Sequence, residues 1–196
     1  MKLQTYKFTL AYRGQDFHGW QRQDPLPTVQ LALESALKKI YGRSLHAAGS
    51  GRTDRGVHAL GQVASCRLPA SHTPATLLRA LNFHLPPGVR ILSIQKTPPK
   101  FHARFSAKGK SYLYRIVNSP FLHPMEIGRA WHLPRPLNLK AVRQAARLFV
   151  GKHDFASFTS NPGYERKSTV RRLRSIRITR KPGSVLELVF DGDGFL

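Results

Sequence analysis

The chain has few acidic residues for its length. Of 196 residues, only 10 are Asp or Glu, whereas 32 are Lys or Arg, and the formal net charge is +22. After Asp54 the next acid is Glu126, and ten Lys or Arg lie between them. This balance favours a polyanionic partner, most simply a nucleic acid, although a solvated basic surface or a ribosomal-type protein would share it.

Cysteine and long apolar stretches are also scarce. The single cysteine, Cys66, excludes an internal disulfide framework and fits a reducing compartment. The N-terminal segment 1–14, MKLQTYKFTLAYRG, alternates apolar and polar residues, which is not the pattern of a signal peptide or a transmembrane helix. We therefore expect a cytoplasmic protein that does not associate with membranes.

Metal-ligand patterns are missing as well. The nine histidines do not have the spacing of metal ligands, and Asp191 and Asp193 fit a turn better than a divalent-cation site. The segment 106–112, SAKGKSY, lacks the spacing of a phosphate-binding P-loop, and nothing like a serine nucleophile elbow occurs. We expect neither a metal nor a cofactor, and a metal-dependent nuclease or phosphatase is disfavoured.

Hydrophobic periodicity predicts alternating strands and helices. We expect three helices, which follow the N-cap residues Thr28, Thr73 and Asn138. The predicted strands are 5–12, 61–68, 88–97, 110–118, 173–181 and 184–192. The order β-α-β-α-β followed by β-α-β-β predicts an α+β fold with two sheet-plus-helix halves.

The two halves define the expected domains. We place an N-terminal α/β half at 1–103 and a C-terminal α/β half at 104–196. The second half is short of helix cover, because the sequence stops soon after the predicted strand 184–192. We therefore expect this half to be incomplete, without its final strand and helices.

The segment 49–62, GSGRTDRGVHALGQ, has the composition of a functional loop. Its glycines permit sharp turns and the close approach of a ligand. Arg52 and Arg55 flank the carboxylate of Asp54, favour its ionised form and could bind phosphates. An ionised carboxylate beside phosphate-binding groups suits the sugar or base of a nucleoside. The alternative is a glycine-rich turn in which Asp54 caps a helix or bonds Arg52, and local chemistry does not choose between the two.

Aromatic residues accompany the basic ones. Tyr112 and Tyr114 alternate on one face of a predicted strand, where a tyrosine beside lysines could stack on a base drawn out of an RNA helix. Trp20 lies with Gln21 and Arg22 in a polar loop that could grip RNA. Core packing is the competing interpretation for one of the tyrosines, and a buried anchor beneath the loop is the competing interpretation for Trp20.

These motifs resemble those of the TruA-type tRNA pseudouridine synthases. The segment GRTDRGVHALGQV at 51–63 resembles the catalytic segment of that family, and its RTD-x-GVH core is highly specific. Further segments that resemble family motifs, in the same order, are YKFTLAYRGQDFHGWQRQ at 6–23, FHARFSAKGKSYLYRI at 101–116, KHDFASF at 152–158 and VFDGDGFL at 189–196. The resemblance therefore spans nearly the whole chain.

The resemblance implies a fold and an activity. The fold has two α/β halves with antiparallel or mixed sheets, joined across a central catalytic cleft. The activity is the conversion of uridine to pseudouridine in the anticodon stem-loop of tRNA, without cofactor or metal. The family also implies a homodimer in which one tRNA contacts both subunits.

The resemblance also implies roles for individual residues. Asp54 would be the nucleophile, Tyr112 the active-site tyrosine placed against the base, and Arg52 a residue that displaces the target base or anchors its phosphate. Arg55 stands where the family commonly has alanine, and would add a phosphate contact. The remaining RNA-contact candidates are His58, Trp20, Gln21, Arg22, Arg104, Lys108 and Lys110.

The end of the sequence departs from the family pattern. Family members continue beyond GFL into a strand that carries an arginine paired with the catalytic aspartate, and then into a C-terminal helical region. The printed sequence has neither. A catalytically impaired RNA-binding fragment is therefore the alternative to an active synthase.

Overall fold

The computed structural model describes residues 3–159 and 168–195. The chain forms two compact units, Met1–Ala107 and Lys108–Leu196. Each unit contains one β-sheet and at least one helix, which confirms the predicted mixed α/β class. Within the described ranges, no helix is long and apolar enough to cross a membrane. Leu196, the last residue of the VFDGDGFL motif, lies outside the described residues.

The first unit contains a four-stranded antiparallel sheet with the order β2-β3-β1-β4. Its elements are β1 (Leu3–Tyr12), α1 (Val29–Tyr41), β2 (Ala48–Gly49), β3 (Ala59–Pro69), α2 (Pro74–His84) and β4 (Val89–Thr97). β1 is a central strand, because it pairs with β3 on one side and β4 on the other.

Side-chain caps fix the ends of both helices in this unit. The side chain of Thr28 accepts a hydrogen bond from the backbone N–H of Leu31, and α1 ends at Gly42, which has a left-handed φ of 69°. Thr73 caps α2 in the same way, and Pro74 occupies its first turn. The predicted starts of both helices are thereby confirmed.

The core of the first unit lies between the sheet and the two helices. Tyr6, Phe8 and Leu10 alternate along β1 and are fully buried, as period-two patterning requires. The apolar stripe of α1, which includes Leu33 and Leu37, is buried in the same cluster. This core is the rigid base from which the loops before α1 and after β2 project.

The second unit contains a five-stranded mixed sheet with the order β6-β5-β9-β8-β7. Its elements are β5 (Lys110–Val117), β6 (Trp131–His132), α3 (Leu139–Phe149), β7 (Gly151–Asp154), β8 (Val170–Lys181) and β9 (Val185–Gly192). β5 and β6 pair in parallel, and the other neighbours are antiparallel. β8 and β9 form the predicted hairpin, with Gly183 and Ser184 at positive φ in its turn.

The third helix is as predicted at its N-terminus, since Asn138 accepts a hydrogen bond from the backbone N–H of Ala141. None of its residues is fully buried, in contrast to α1 and α2.

The short strands β2, β6 and β7 were not predicted. Elements of two to four residues are too short to show a period-two pattern, so pairing partners elsewhere in the chain determine them.

Candidate active site

Asp54 lies in the loop that connects β2 and β3. The backbone N–H of Val57 donates to the carbonyl oxygen of Asp54 over 3.2 Å and closes a tight turn. Gly56 occupies the third position of this turn with φ of 81°, a conformation that L-residues with a side chain rarely adopt. Gly56, one of the glycines of the segment 49–62, is therefore required by the turn that follows the carboxylate.

A second loop, residues 13–27, is bonded directly to the Asp54 loop. The backbone N–H of Trp20 donates to the carbonyl oxygen of Thr53 over 3.0 Å. At Gly19, whose φ is 86°, an added Cβ would lie 2.5 Å from the same oxygen. Only glycine permits this approach, so the two loops are held against each other beside Asp54.

Trp20 lies beneath these loops and is only 2% exposed. Its ring packs so tightly on Gly49 that an added Cβ there would lie 2.5 Å from a ring carbon. The ring also makes a tilted contact with Tyr12, at 6.4 Å between centroids. We therefore correct the prediction of Trp20 as an RNA contact: it is the buried anchor, because its apolar ring supports the Asp54 loop from inside.

Side-chain hydrogen bonds hold the beginning and the middle of the Asp54 loop. The Gln62 amide donates to the carbonyl oxygen of Gly51 over 2.6 Å, and its side-chain oxygen accepts from the Ser50 hydroxyl over 2.9 Å. The hydroxyls of Tyr12 and Thr53 are 2.8 Å apart. The residues just before Asp54 are thus held by the sheet of the first unit.

A cavity of about 360 Å³ opens at Asp54. Its lining residues are His18, Gln21, Gln23, Arg52, Thr53, Asp54 and Arg55. The structure thereby brings together four of the predicted site residues: Gln21, Arg52, Asp54 and Arg55. His18, Gln23 and Thr53 were not predicted as site residues, although all three lie in the two motifs that were quoted.

The carboxylate of Asp54 is exposed, and it has no hydrogen bond or ion pair with any residue of the described part of the chain. Arg52 instead donates from Nε to the side-chain oxygen of Gln21 over 3.1 Å. Neither of the alternatives for this aspartate, a helix cap or a bond to Arg52, occurs among the described residues. The carboxylate therefore faces the cavity with its oxygens available to a ligand.

The other candidates of the first unit lie outside the cavity lining. The Arg22 guanidinium is 3.2 Å from Asp24 and 3.8 Å from Glu34, and the hydrogen bond to Asp24 raises the pKa of Arg22 above its usual range. His58 is half-buried. Arg104 is exposed, with its guanidinium carbon 5.8 Å from the ring centroid of Phe105.

The remaining candidates belong to the second unit. Lys108 is exposed, and Lys110 and Tyr112 are half-buried at the start of β5. Tyr112 pairs with Phe190 across the sheet, and its ring meets Phe195 edge to face at 4.7 Å between centroids. Residues of the VFDGDGFL motif therefore position Tyr112. This contact was not predicted from the sequence.

No group of three or more His, Cys, Asp or Glu that could hold a metal ion occurs among residues 3–159 and 168–195.

Comparison with known proteins gives the chain a family. The family described as tRNA pseudouridine synthase matches residues 10–106 and 145–196, which is more than half of the chain. The chain belongs to the tRNA pseudouridine synthase family.

Individual members of the tRNA pseudouridine synthase family are also similar over most of this chain. A protein of Methylacidiphilum infernorum named tRNA pseudouridine synthase A is 49% identical over 191 residues, which cover 97% of this chain and 74% of that protein. The proteins of the same name from Rhodospirillum rubrum and Rhodospirillum centenum are 43% and 42% identical. The alignments cover 89% and 99% of this chain and 63% and 79% of those proteins.

Proposed function

We propose that this chain isomerises uridine to pseudouridine in the anticodon stem-loop of tRNA, with Asp54 as the nucleophile. The observation that carries the proposal is the exposed Asp54 carboxylate, which shares a cavity with Arg52 and Arg55. The volume of that cavity, about 360 Å³, is within the range of small-molecule sites. The names of the relatives support the reaction class.

The chemistry explains why a carboxylate stands in a basic setting. When the N1–C1′ bond of uridine breaks, the electron pair stays on the uracil and positive charge develops on the ribose. The Asp54 carboxylate attacks C1′ or stabilises this charge, as carboxylates do in glycoside hydrolysis. A new bond then joins C5 to C1′, and where Asp54 had bonded to C1′ that bond breaks and the carboxylate leaves with its electron pair. C5 loses its hydrogen as a proton, and N1 gains one. Substrate and product are isomers, so no co-reactant is consumed.

The arginines supply the positive charge that an RNA nucleotide requires. Among the described residues, Arg52 is held by Gln21 through Nε. A guanidinium has five N–H donors, so this contact leaves donors for a phosphate or for displacement of the target base. Arg55 lines the same cavity and would bind a second phosphate. We assign Tyr112 to the base, on the family resemblance.

We extend the proposal to the assembly on the same resemblance. The half 1–103 would supply the nucleophile, the half 104–196 would supply Tyr112, and a central cleft would hold the RNA. The expected partners are tRNA and a second copy of the chain, and the expected compartment is the cytoplasm. His58, Arg22, Arg104, Lys108 and Lys110 remain the further candidates for RNA contact.

The decisive experiment compares the wild-type chain with Asp54→Asn on unmodified tRNA, and pseudouridine in the anticodon arm is quantified. We expect product from the wild type, none from Asp54→Asn, and similar tRNA binding by both. Asp16→Asn is the matched control, because Asp16 is an exposed aspartate of the same unit that pairs with Arg13 and does not line the cavity. Binding without product from the wild type would favour the RNA-binding fragment instead. Equal rates from wild type and Asp54→Asn would refute the nucleophile.

A further inference from the structure

The helix α3 carries a second cationic surface, outside the cavity around Asp54. Lys140, Arg143 and Arg147 are spaced three and four residues apart, so they lie on one face of the helix. All three are exposed. The sequence of α3, LKAVRQAARLF, contains no acidic residue. We call these three residues the α3 cationic stripe.

The α3 cationic stripe borders a groove. A depression of about 220 Å³ lies between α3 and β8. Its lining residues are Arg143, Ala146, Arg147, Val150, Ile176 and Ile178. The groove therefore combines two guanidinium groups with four apolar side chains, a combination that can hold a phosphate and the apolar edge of the sugar attached to it.

Two features of the stripe disfavour its own helix, although Arg147 lies in the last turn, where the helix dipole favours a cation. Arg143 and Arg147 stand four residues apart, where like charges repel. Lys140 lies in the first turn, where the positive end of the helix dipole disfavours a cation and where α3 has no acid. Among residues 3–159 and 168–195, no Asp or Glu forms an ion pair with any of the three. An anionic partner would remove this repulsion.

We propose that the α3 cationic stripe and its groove bind the phosphate backbone of tRNA, apart from the nucleotide held at Asp54. The inference rests on the proposed function, since tRNA is the polyanion concerned. From Lys140 to Arg147 the helix rises roughly 10 Å, at about 1.5 Å per residue. Double-stranded DNA carries one charge per about 1.7 Å of axis, and an RNA duplex is similarly dense, so the stripe spans several phosphates.

The test is the salt dependence of tRNA binding by the double variant Arg143→Gln/Arg147→Gln. Each lost phosphate contact lowers the slope of log K against log salt by about 0.9, so the double variant loses about 2 in slope. The increase in Kd between 50 and 200 mM salt should therefore be roughly tenfold smaller than for the wild type. The KM for tRNA should rise with the Kd.

The matched control is Lys38→Gln/Lys39→Gln. It removes the same charge from two exposed helical residues in the last turn of α1, in the first unit. Equal slopes for the wild type and the α3 variant would overturn the inference. An equal loss of slope in the control would also overturn it, because the effect would then be one of net charge.

A charge-preserving variant separates binding from folding. Arg143→Lys/Arg147→Lys should restore most of the salt slope, whereas a slope as low as that of the glutamine variant would show that α3 was merely disturbed and would refute the inference. Failure of the proposed function has a different signature. The wild type would then make no pseudouridine, while the difference in slope between wild type and α3 variant would persist.

Discussion

The backbone N–H of Trp20 donates to the carbonyl oxygen of Thr53, 3.0 Å away, and thereby joins the loop before α1 to the residue that precedes Asp54. The two segments are far apart in sequence, yet each determines the shape of the other. The ring of Trp20 packs against Gly49. Gly19 has no side chain and therefore leaves room for the carbonyl oxygen of Thr53. The position of the carboxylate therefore depends on residues that do no chemistry.

Gly19→Ala tests this dependence. The new Cβ would lie 2.5 Å from the carbonyl oxygen of Thr53, at a residue whose φ of 86° already disfavours a side chain. We expect a loss of about 1–3 kcal/mol in the free energy of unfolding. A displacement near 1 Å at Asp54 would lower kcat/KM on the order of 100-fold. Urea unfolding and pseudouridine formation measure the two effects.

Gly42→Ala is the control for Gly19→Ala. Gly42 has a similar φ of 69°, but its added Cβ would meet nothing within 4 Å. The control should show the backbone strain alone, with activity close to that of the wild type. If both variants lose activity equally, the loss does not come from the contact with Thr53.

Tyr12→Phe removes the hydroxyl that lies 2.8 Å from the Thr53 hydroxyl. Tyr12 is buried, so the lost hydrogen bond should lower the free energy of unfolding by about 1 kcal/mol, and the activity should fall as the Asp54 loop loosens. Tyr114→Phe, at a tyrosine that is 56% exposed, is the matched control. Unchanged activity of Tyr12→Phe would show that this hydroxyl does not position the loop.

The parts of the fold that the sequence predicted are those with strong local signals. Thr28, Thr73 and Asn138 marked the three helix starts because each supplies a side-chain oxygen to the first turn. Strand β1 showed a clear alternation in the predicted segment 5–12, with Tyr6, Phe8 and Leu10 on one face. Strand β6 has two residues and pairs in parallel with β5, so its pattern is determined only by a distant partner.

The site was predicted in part, again where the signal is local in the sequence. Asp54, Arg52 and Arg55 form a local chemical pattern, and the structure places all three at one cavity. The roles of Trp20 and His18 depend on how two separate loops meet. Trp20 is buried and His18 lines the cavity, although both lie in the same motif, DFHGWQRQ. A glycine between two aromatic residues is a signal for close packing, but it does not say which ring faces inward.

Arg55→Ala tests the cation beside the nucleophile. Arg55 is exposed and lines the cavity beside Asp54. If Arg55 binds one phosphate, the slope of log K against log salt for tRNA binding should fall by about 0.9, and the KM should rise more than kcat falls. An unchanged slope would show that Arg55 contacts no phosphate. A complete loss of kcat would show that it takes part in the chemistry.

Cys66 should be inert in the folded protein. The thiol is 4% exposed in the core of the first unit, and its burial raises its pKa to about 12. At pH 8 the thiolate is the reactive form, so alkylation by iodoacetamide should be slower than in urea by a factor on the order of 1,000 or more. The chain has one cysteine, so all label reports on Cys66. Equal rates with and without urea would contradict its position in the core.

Arg115 of β5 forms ion pairs with Glu126, in the segment between β5 and β6, and with Glu187 of β9. From these ion pairs we predict how the stability of the second unit depends on pH. The Arg115 guanidinium is 2.7 Å from Glu126 and 2.8 Å from Glu187. The hydrogen bond from Arg115 lowers the pKa of Glu126 below its ordinary value of 4.5. Because the folded-state pKa is the lower one, Glu126 stabilises the fold above pH 4.5, and this contribution disappears as the pH falls through the folded-state pKa.

Glu126→Gln isolates this contribution from that of other carboxylates, such as Asp191, whose pKa is also lowered by Arg174. The variant should be less stable than the wild type at pH 7, and the difference in the free energy of unfolding should shrink as the pH falls below the ordinary pKa of 4.5. Urea unfolding at a series of pH values gives that difference directly. A difference that stays constant over the series would mean that Glu126 acts through packing alone, since only an ion pair with a shifted pKa makes the difference depend on protons.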